Sequence, residues 1–190
     1  MKHLWFCIAA MLAGTTPIHA DEMQDAMNSF LQDHITSWAN DPVLVQAILA
    51  QNALTAGYDQ AKIDEMEALW SAYQGILDAE IIAGVIANPA ADFLRNQVTQ
   101  SGGAITEVFI MDARGLNVAA SEPPSDYWQG DEAKFTQTYP LGATAVHLGD
   151  VELDESTNEV QGQVSMTILD QQTGTAIGAI TVGVNLSALM

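Results

Sequence analysis

One short segment concentrates the side chains that could do chemistry: Ser125-Asp126-Tyr127-Trp128-Gln129-Gly130-Asp131-Glu132-Ala133-Lys134-Phe135. It places Tyr127 and Trp128, three carboxylates and one of very few cations within a polar loop. That chemistry is recognition rather than reaction, because aromatic faces with a few placed charges are what a small-ligand pocket uses. Each residue has two readings. Lys134 either opposes a ligand anion or pairs with Asp131 or Glu132 at the surface, where such a pair contributes little. Tyr127 and Trp128 either wall a pocket or plug the open face of a sheet. Asp126 either accepts a hydrogen bond from a ligand or caps the following turn.

Other candidate chemistry is weaker. Asp150-Val151-Glu152-Leu153-Asp154-Glu155 has acids at the first, third and fifth places of a calcium loop. It lacks glycine at the sixth place, and the twelfth is Gln161, so it reads as a strand with an acidic face and no metal is expected. Asp112 and Arg114 flank a tight turn and read as a turn pair. Beyond residue 20 the histidines are His34 and His147, and no cysteine remains. Neither histidine has a nucleophile close in sequence, and no glycine-rich phosphate loop is present. An enzyme is therefore not expected, nor a cofactor. A hydrolase using an acidic pair such as Asp131 and Glu132 is the weaker alternative.

Charge narrows the partners. Past residue 20 there are 24 acids against four Lys and Arg (Lys62, Arg95, Arg114, Lys134), a net charge of −20. A field of that sign disfavours nucleic acid and anionic membrane. Met1-Lys2-His3 followed by the apolar run Leu4–Gly14 and by Ile18-His19-Ala20 reads as a cleaved secretory leader, 1–20. The run is too short to span a bilayer. A cysteine-free domain, 21–190, exported to a periplasm is the expectation, held by its core rather than by disulfides.

The elements that must position these residues follow from periodicity. Met23, Ala26, Met27, Phe30, Leu31, Ile35 and Trp38 form one helical stripe. Asp41-Pro42, Asp59 and Asn88-Pro89 are starts for three further helices. Residues 76–87 are apolar nearly all round and fit a buried helix or a strand. From Ile105 the period changes to two. Ile105–Asp112 and Leu116–Ser121 read as a hairpin about Ala113-Arg114-Gly115. Ala145–Leu153 reads as a strand, as does 160–168 with its strict alternation, and Ala176–Leu186 closes the set across an Asp170–Gly174 turn. The fold class is α+β: a long N-terminal helix and a helical segment, then a five-stranded antiparallel sheet.

Thr106-Glu107-Val108-Phe109-Ile110-Met111-Asp112-Ala113-Arg114-Gly115-Leu116-Asn117-Val118-Ala119-Ala120-Ser121, and the closing hairpin from Ile168 to Leu186, resemble the first and last hairpins of Cache domains. These are the PAS-like extracytoplasmic sensors of bacterial chemoreceptors and histidine kinases. The resemblance covers 22–190 and implies a free-standing periplasmic module that binds a small molecule, a zwitterion, amine or organic acid. It implies a membrane receptor, kinase or transporter as partner, and a homodimer through the first helix. It places the pocket among Asp126, Tyr127, Trp128, Lys134, Asp154 and Asp170. The chain lacks the Arg-x-Trp-Tyr signature of amino-acid-binding members, and Lys134-Phe135 falls where that signature should begin. The alternative is a structural or interaction protein with the pocket filled by side chains.

Overall fold

A computed structural model describes residues 20–154 and 159–189. The expected leader lies outside the described residues. Helix α1 (Ala20–Phe30) runs on into a single π turn, Leu31–Ile35. Its stripe is used within the chain: Met27, Phe30, Leu31 and Ile35 are buried. A homodimer through this helix would have to use its opposite, polar side.

Three caps read from sequence are made. Asp41 accepts from the Val43 N–H at 2.9 Å and opens α2 (Pro42–Thr55). Asp59 accepts from the Lys62 N–H and opens α3 (Gln60–Tyr73). Asn88 accepts from the Ala91 N–H and opens α5 (Pro89–Gln100). Each supplies an acceptor to an otherwise orphaned helix N–H, and proline at the first helical position of α2 and α5 has no N–H to satisfy. The undecided stretch 76–87 contains a short helix, α4 (Glu80–Ile86), with Ile82 and Val85 buried.

The sheet is antiparallel throughout, comprising β1 (Ile105–Met111), β2 (Asn117–Ala120), β3 (Val146–Leu148), β4 (Glu152–Asp154), β5 (Glu159–Leu169) and β6 (Ala176–Asn185). The order is β2-β1-β6-β5-β3, and β4 pairs with the same edge of β5. The expected strand Ala145–Leu153 is thus two short strands sharing one position. β3 pairs with Val164–Met166 of β5 and β4 with Glu159–Gln161. The break falls at Gly149-Asp150-Val151, so five sheet positions hold six strands.

Alternation sorts the two faces. Val108, Ile110, Val164, Ile168, Ile180, Val182 and Val184 join Met27, Leu31, Ile35, Leu44, Ile48 and Leu94 of the first, second and fifth helices in one core. The opposite face carries Phe109, Met111 and Ala179, packed with Ile63, Trp70, Ile82, Val85, Tyr127 and Phe135. On that second face β5 and β6 are polar, and the Ser165 and Thr181 hydroxyls hydrogen-bond at 3.0 Å with both residues fully buried. What covers this face decides where a ligand could sit.

Candidate functional site

The chain leaves β2 and crosses the second face as the segment 121–130, which α3 fastens in place. One Glu67 carboxylate oxygen accepts from the backbone N–H groups of both Tyr127 and Trp128, at 2.8 Å each. Trp70 donates its indole N–H to the Pro124 carbonyl at 3.2 Å, and Gln74 donates to the Ser125 carbonyl. Residues 67, 70 and 74 lie on one face of a 3.6-residue helix, so a single helical stripe holds the loop. The Tyr127 ring stacks on Trp70 with centroids 5.5 Å apart. Burial, then the nearby Asp112 carboxylate, pushes the Tyr127 phenol well above its ordinary range, so it stays neutral.

The far side of the loop is tied to the β1–β2 turn. Asn117 N–H donates to the Tyr127 carbonyl and Gln129 N–H to that of Gly115. Gly115 has φ +79°, and a Cβ there would lie 2.5 Å from the Gly130 Cα. Glycine is required on both counts: the left-handed backbone and the close approach. Trp128 turns its indole N–H to the Arg114 carbonyl at 2.8 Å and covers Gly130. The Asp126 carboxylate is exposed and accepts from the Ser125 hydroxyl, while its carbonyl takes the amides of Asn117 and Gln129. The face beside Trp128 is therefore filled by side chains.

An opening begins where α6 (Ala133–Thr136) settles on the sheet. Phe135 is buried and stacks on Tyr139, which anchors the short helix. Lys134 points the other way. Its ammonium lies 2.9 Å from Glu132 Oε2 and 5.5 Å from the centroid of the Phe109 ring, and its side chain is 17% exposed. Beside it a cleft of about 460 Å³ runs over the β1, β6 and β5 ends to β3 and β4. Glu107, Glu132, Lys134, His147, Asp150, Glu152, Gln161 and Gln163 supply its polar walls. Glu107 accepts from the Gln163 amide at 3.0 Å. Between these two residues in the register lies Gly183, whose lack of a side chain keeps the floor open: a Cβ would come within 2.8 Å of Glu107 Cγ.

Of the six residues singled out in the sequence, Lys134 lines this cleft. Asp154 ends β4, next to the lining residue Glu152, and its side chain lies outside the described residues. Tyr127 and Trp128 sit against Trp70 and the β1–β2 turn, and Asp126 faces outward. Asp170 is in the β5–β6 turn, seven residues along β5 from Gln163, or about 23 Å. It accepts there from the Gln172 N–H at 2.9 Å and the Thr173 hydroxyl at 2.8 Å. Those bonds hold its carboxyl below the ordinary aspartate range. A depressed carboxyl contributes order above its unfolded pKa and loses it as pH falls through the folded one. The Asp170 side-chain carbonyl is accordingly expected to titrate below an unstructured aspartate, with the amide shifts of Gln172 and Thr173 following the same midpoint. An NMR titration reads this directly, and a midpoint at or above the ordinary aspartate value would refute the turn geometry.

Asp112 is a turn residue, as read, but makes no ion pair with Arg114. Its Oδ1 accepts from the Arg114 and Leu116 N–H groups, while the Arg114 guanidinium reaches the Ala56 carbonyl. Among the described residues no group of three acidic, cysteine or histidine side chains is placed to hold a metal. The Lys134–Glu132 pair is the second of the two readings the sequence offered for Lys134; Glu107, Gln163 and Gly183 were missed. The signal available was the polar half of the alternation in 160–168, which marks the face opposite the helical core.

No family model matches the sequence, and no curated protein matches it. Solved structures do. The chain is similar to the Vibrio cholerae histidine kinase DctB sensor domain, 17% identical over 90% of this chain and 57% of that one, with a TM-score of 0.41. It is similar to the ligand-binding domain of the Campylobacter jejuni chemoreceptor Tlp3 in complex with 4-methylisoleucine, 13% identical over 86% and 62%, TM-score 0.40. It is also similar to the ligand-binding domain of the Pseudomonas aeruginosa amino acid chemoreceptor PctC in complex with GABA, 16% identical over 90% and 59%, TM-score 0.40. These neighbours are Cache sensor domains. The chain spans about three fifths of the length of these domains.

Proposed function

We propose that this protein is an extracytoplasmic sensor module that binds a small molecule in the cleft beside Lys134 and reports its presence to a membrane receptor, kinase or transporter. The observation that carries the reading is the cleft. It joins a volume suited to a small ligand with converging carboxylate, ammonium, imidazole and amide groups on a rigid sheet. A scaffold folded only for structure gains nothing by leaving that end of the sheet open while Phe135, Tyr127 and Trp128 close the rest. The lining holds Lys134 as the one ammonium, together with Asp150 and Glu152, and no catalytic step is assigned to it. Export by a cleaved leader is part of the same proposal, as is the periplasmic location. Among the described residues no helix is long and apolar enough to cross a membrane.

The reading predicts stabilisation by a ligand. A thermal-shift screen over amino acids, organic acids, amines and purines is expected to raise the melting temperature for one chemical class, because a ligand that binds only the folded state stabilises it by mass action. Blocking the floor with Gly183→Val is expected to abolish that shift. A Trp128→Phe variant, altered in the filled region, is expected to keep it. The protein for the screen is taken from the periplasmic fraction, where its intact mass should correspond to a chain starting at Asp21. Failure of every class to shift the melting curve, with the protein folded, would favour a structural or interaction role.

A further inference from the structure

The charge arrangement around Lys134 goes further and names a ligand class; it rests on the cleft being a binding site. The lining carries four carboxylates, Glu107, Glu132, Asp150 and Glu152, against one ammonium. That ammonium is already committed, to Glu132 at 2.9 Å on one side and to the Phe109 ring on the other. Glu132 thus already neutralises Lys134. An incoming anion would lie among four carboxylates with no uncompensated cation to meet it. Among the described residues Asp150 and Glu152 have no ion-pair partner.

The carboxylates also face the cleft from two sides. Glu107 stands on β1 and Glu152 on β4, with β6 and β5 between them. Three strand spacings and a two-residue offset along β5 put their backbones about 16 Å apart, and both side chains are on the same face of the sheet. In the register, Glu107 is opposite Gly183, which is opposite Gln163, and Glu152 is opposite Gln161. Ionised carboxylates only accept hydrogen bonds, so each end requires a donor, and an ammonium supplies three. We propose that the cleft takes a small linear diamine, one ammonium toward Glu107 and the other toward Asp150 and Glu152. Glu132 sets this specificity by neutralising Lys134.

Three compounds of one carbon-chain length separate the classes: 1,4-diaminobutane, γ-aminobutyrate and succinate, each titrated into the folded protein by calorimetry at fixed ionic strength. The diamine is expected to bind at least about tenfold more tightly than γ-aminobutyrate, and succinate to give no binding heat. Glu107→Gln and Glu152→Gln, both of near-native shape, should each weaken the diamine at least about tenfold, whereas Asp78→Asn, an exposed acid outside the cleft, should change it less than about twofold. Glu132→Gln frees Lys134, and should narrow the preference for diamine over γ-aminobutyrate by about tenfold or more. Tighter binding of succinate or γ-aminobutyrate by the wild type overturns the proposal. So does an Asp78→Asn loss equal to those of the cleft variants, which would mean bulk attraction to an acidic chain. If none of the three binds while another compound still protects the protein in a Gly183-dependent way, the diamine inference fails and the sensor reading stands. If no compound of any class binds, both fail.

Discussion

Replacing Trp70 with alanine is expected to lower the unfolding free energy by about 3–5 kcal/mol, the range for truncating a fully buried large aromatic. Trp70 has no exposed surface, stacks on Tyr127 and donates to the Pro124 carbonyl. Truncation removes that packing, opens a cavity between α3 and the crossing segment, and leaves a buried carbonyl without its donor. For a chain of this size the loss corresponds to a fall in melting temperature of roughly 10 °C. Urea unfolding of the purified variant measures it. A loss below about 1 kcal/mol would mean that α3 does not pin the crossing segment as described. The effect should be mostly on stability, since Trp70 lies in the second core while the cleft is lined by β1, β3–β6 and α6.

Asp112→Ala is expected to cost about 3 kcal/mol, because it removes a buried acceptor that several donors share. Asp112 has no exposed surface. One carboxylate oxygen takes the Arg114 and Leu116 N–H groups at 2.8 and 3.0 Å and so builds the β1–β2 turn. The other takes the Thr55 hydroxyl at 2.7 Å and the Gln51 amide at 3.3 Å and so ties α2 to that turn. Alanine leaves the Arg114 and Leu116 N–H groups without an acceptor and cuts the tie to α2, although Thr55 keeps the Gln51 carbonyl and the Gln51 amide keeps the Leu116 and Asn117 carbonyls. Asparagine keeps one carbonyl oxygen and should lose less. Equilibrium denaturation of both variants tests this, and an alanine variant as stable as the asparagine one would contradict the hub role.

Local rules explain why parts of the fold could be read directly. Asp41-Pro42 and Asn88-Pro89 predict helix starts because a cap and its orphaned N–H groups are within three residues of each other. The alternation from Val160 to Ile168 predicts both the strand and which side chains share a face. Residues 76–87 resisted because an apolar stretch with Gly84 inside it fits either period; α4 forms because Ile82 and Val85 find the second core. Ala145–Leu153 divides in two because its alternation changes phase: Val146 and Leu148 are in one register, Val151 and Leu153 in the other, and Gly149-Asp150 between them interrupts the pairing.

The candidate site was harder for a physical reason. Lys134 was visible as a scarce cation in a polar loop. What distinguishes it from Tyr127 and Trp128, seven and six residues earlier, is which distant element meets each of them. Glu67, Trp70 and Gln74 claim the first part of the loop from a helix some fifty residues away. Glu107, Gln163 and Gly183 meet the second part from three strands. No spacing within the loop encodes that division. Asp170 shows the opposite case: its local turn chemistry, an acid followed by Gln172 and Thr173, describes its structure fully, and that turn is remote from the cleft.

The central claim is that a small molecule binds over the β1–β6–β5 end of the sheet. Amide chemical-shift mapping of the isotopically labelled protein, titrated with whichever compound stabilises it in the thermal-shift screen, tests this most directly. The account predicts saturable shifts concentrated at Glu107, Ala133, Lys134, Glu152, Gln163 and Gly183, with Tyr127, Trp128 and the Asp170 turn little changed. Saturable shifts centred on Tyr127 and Trp128, or on the helical face around α2, with the cleft residues unmoved, would contradict it.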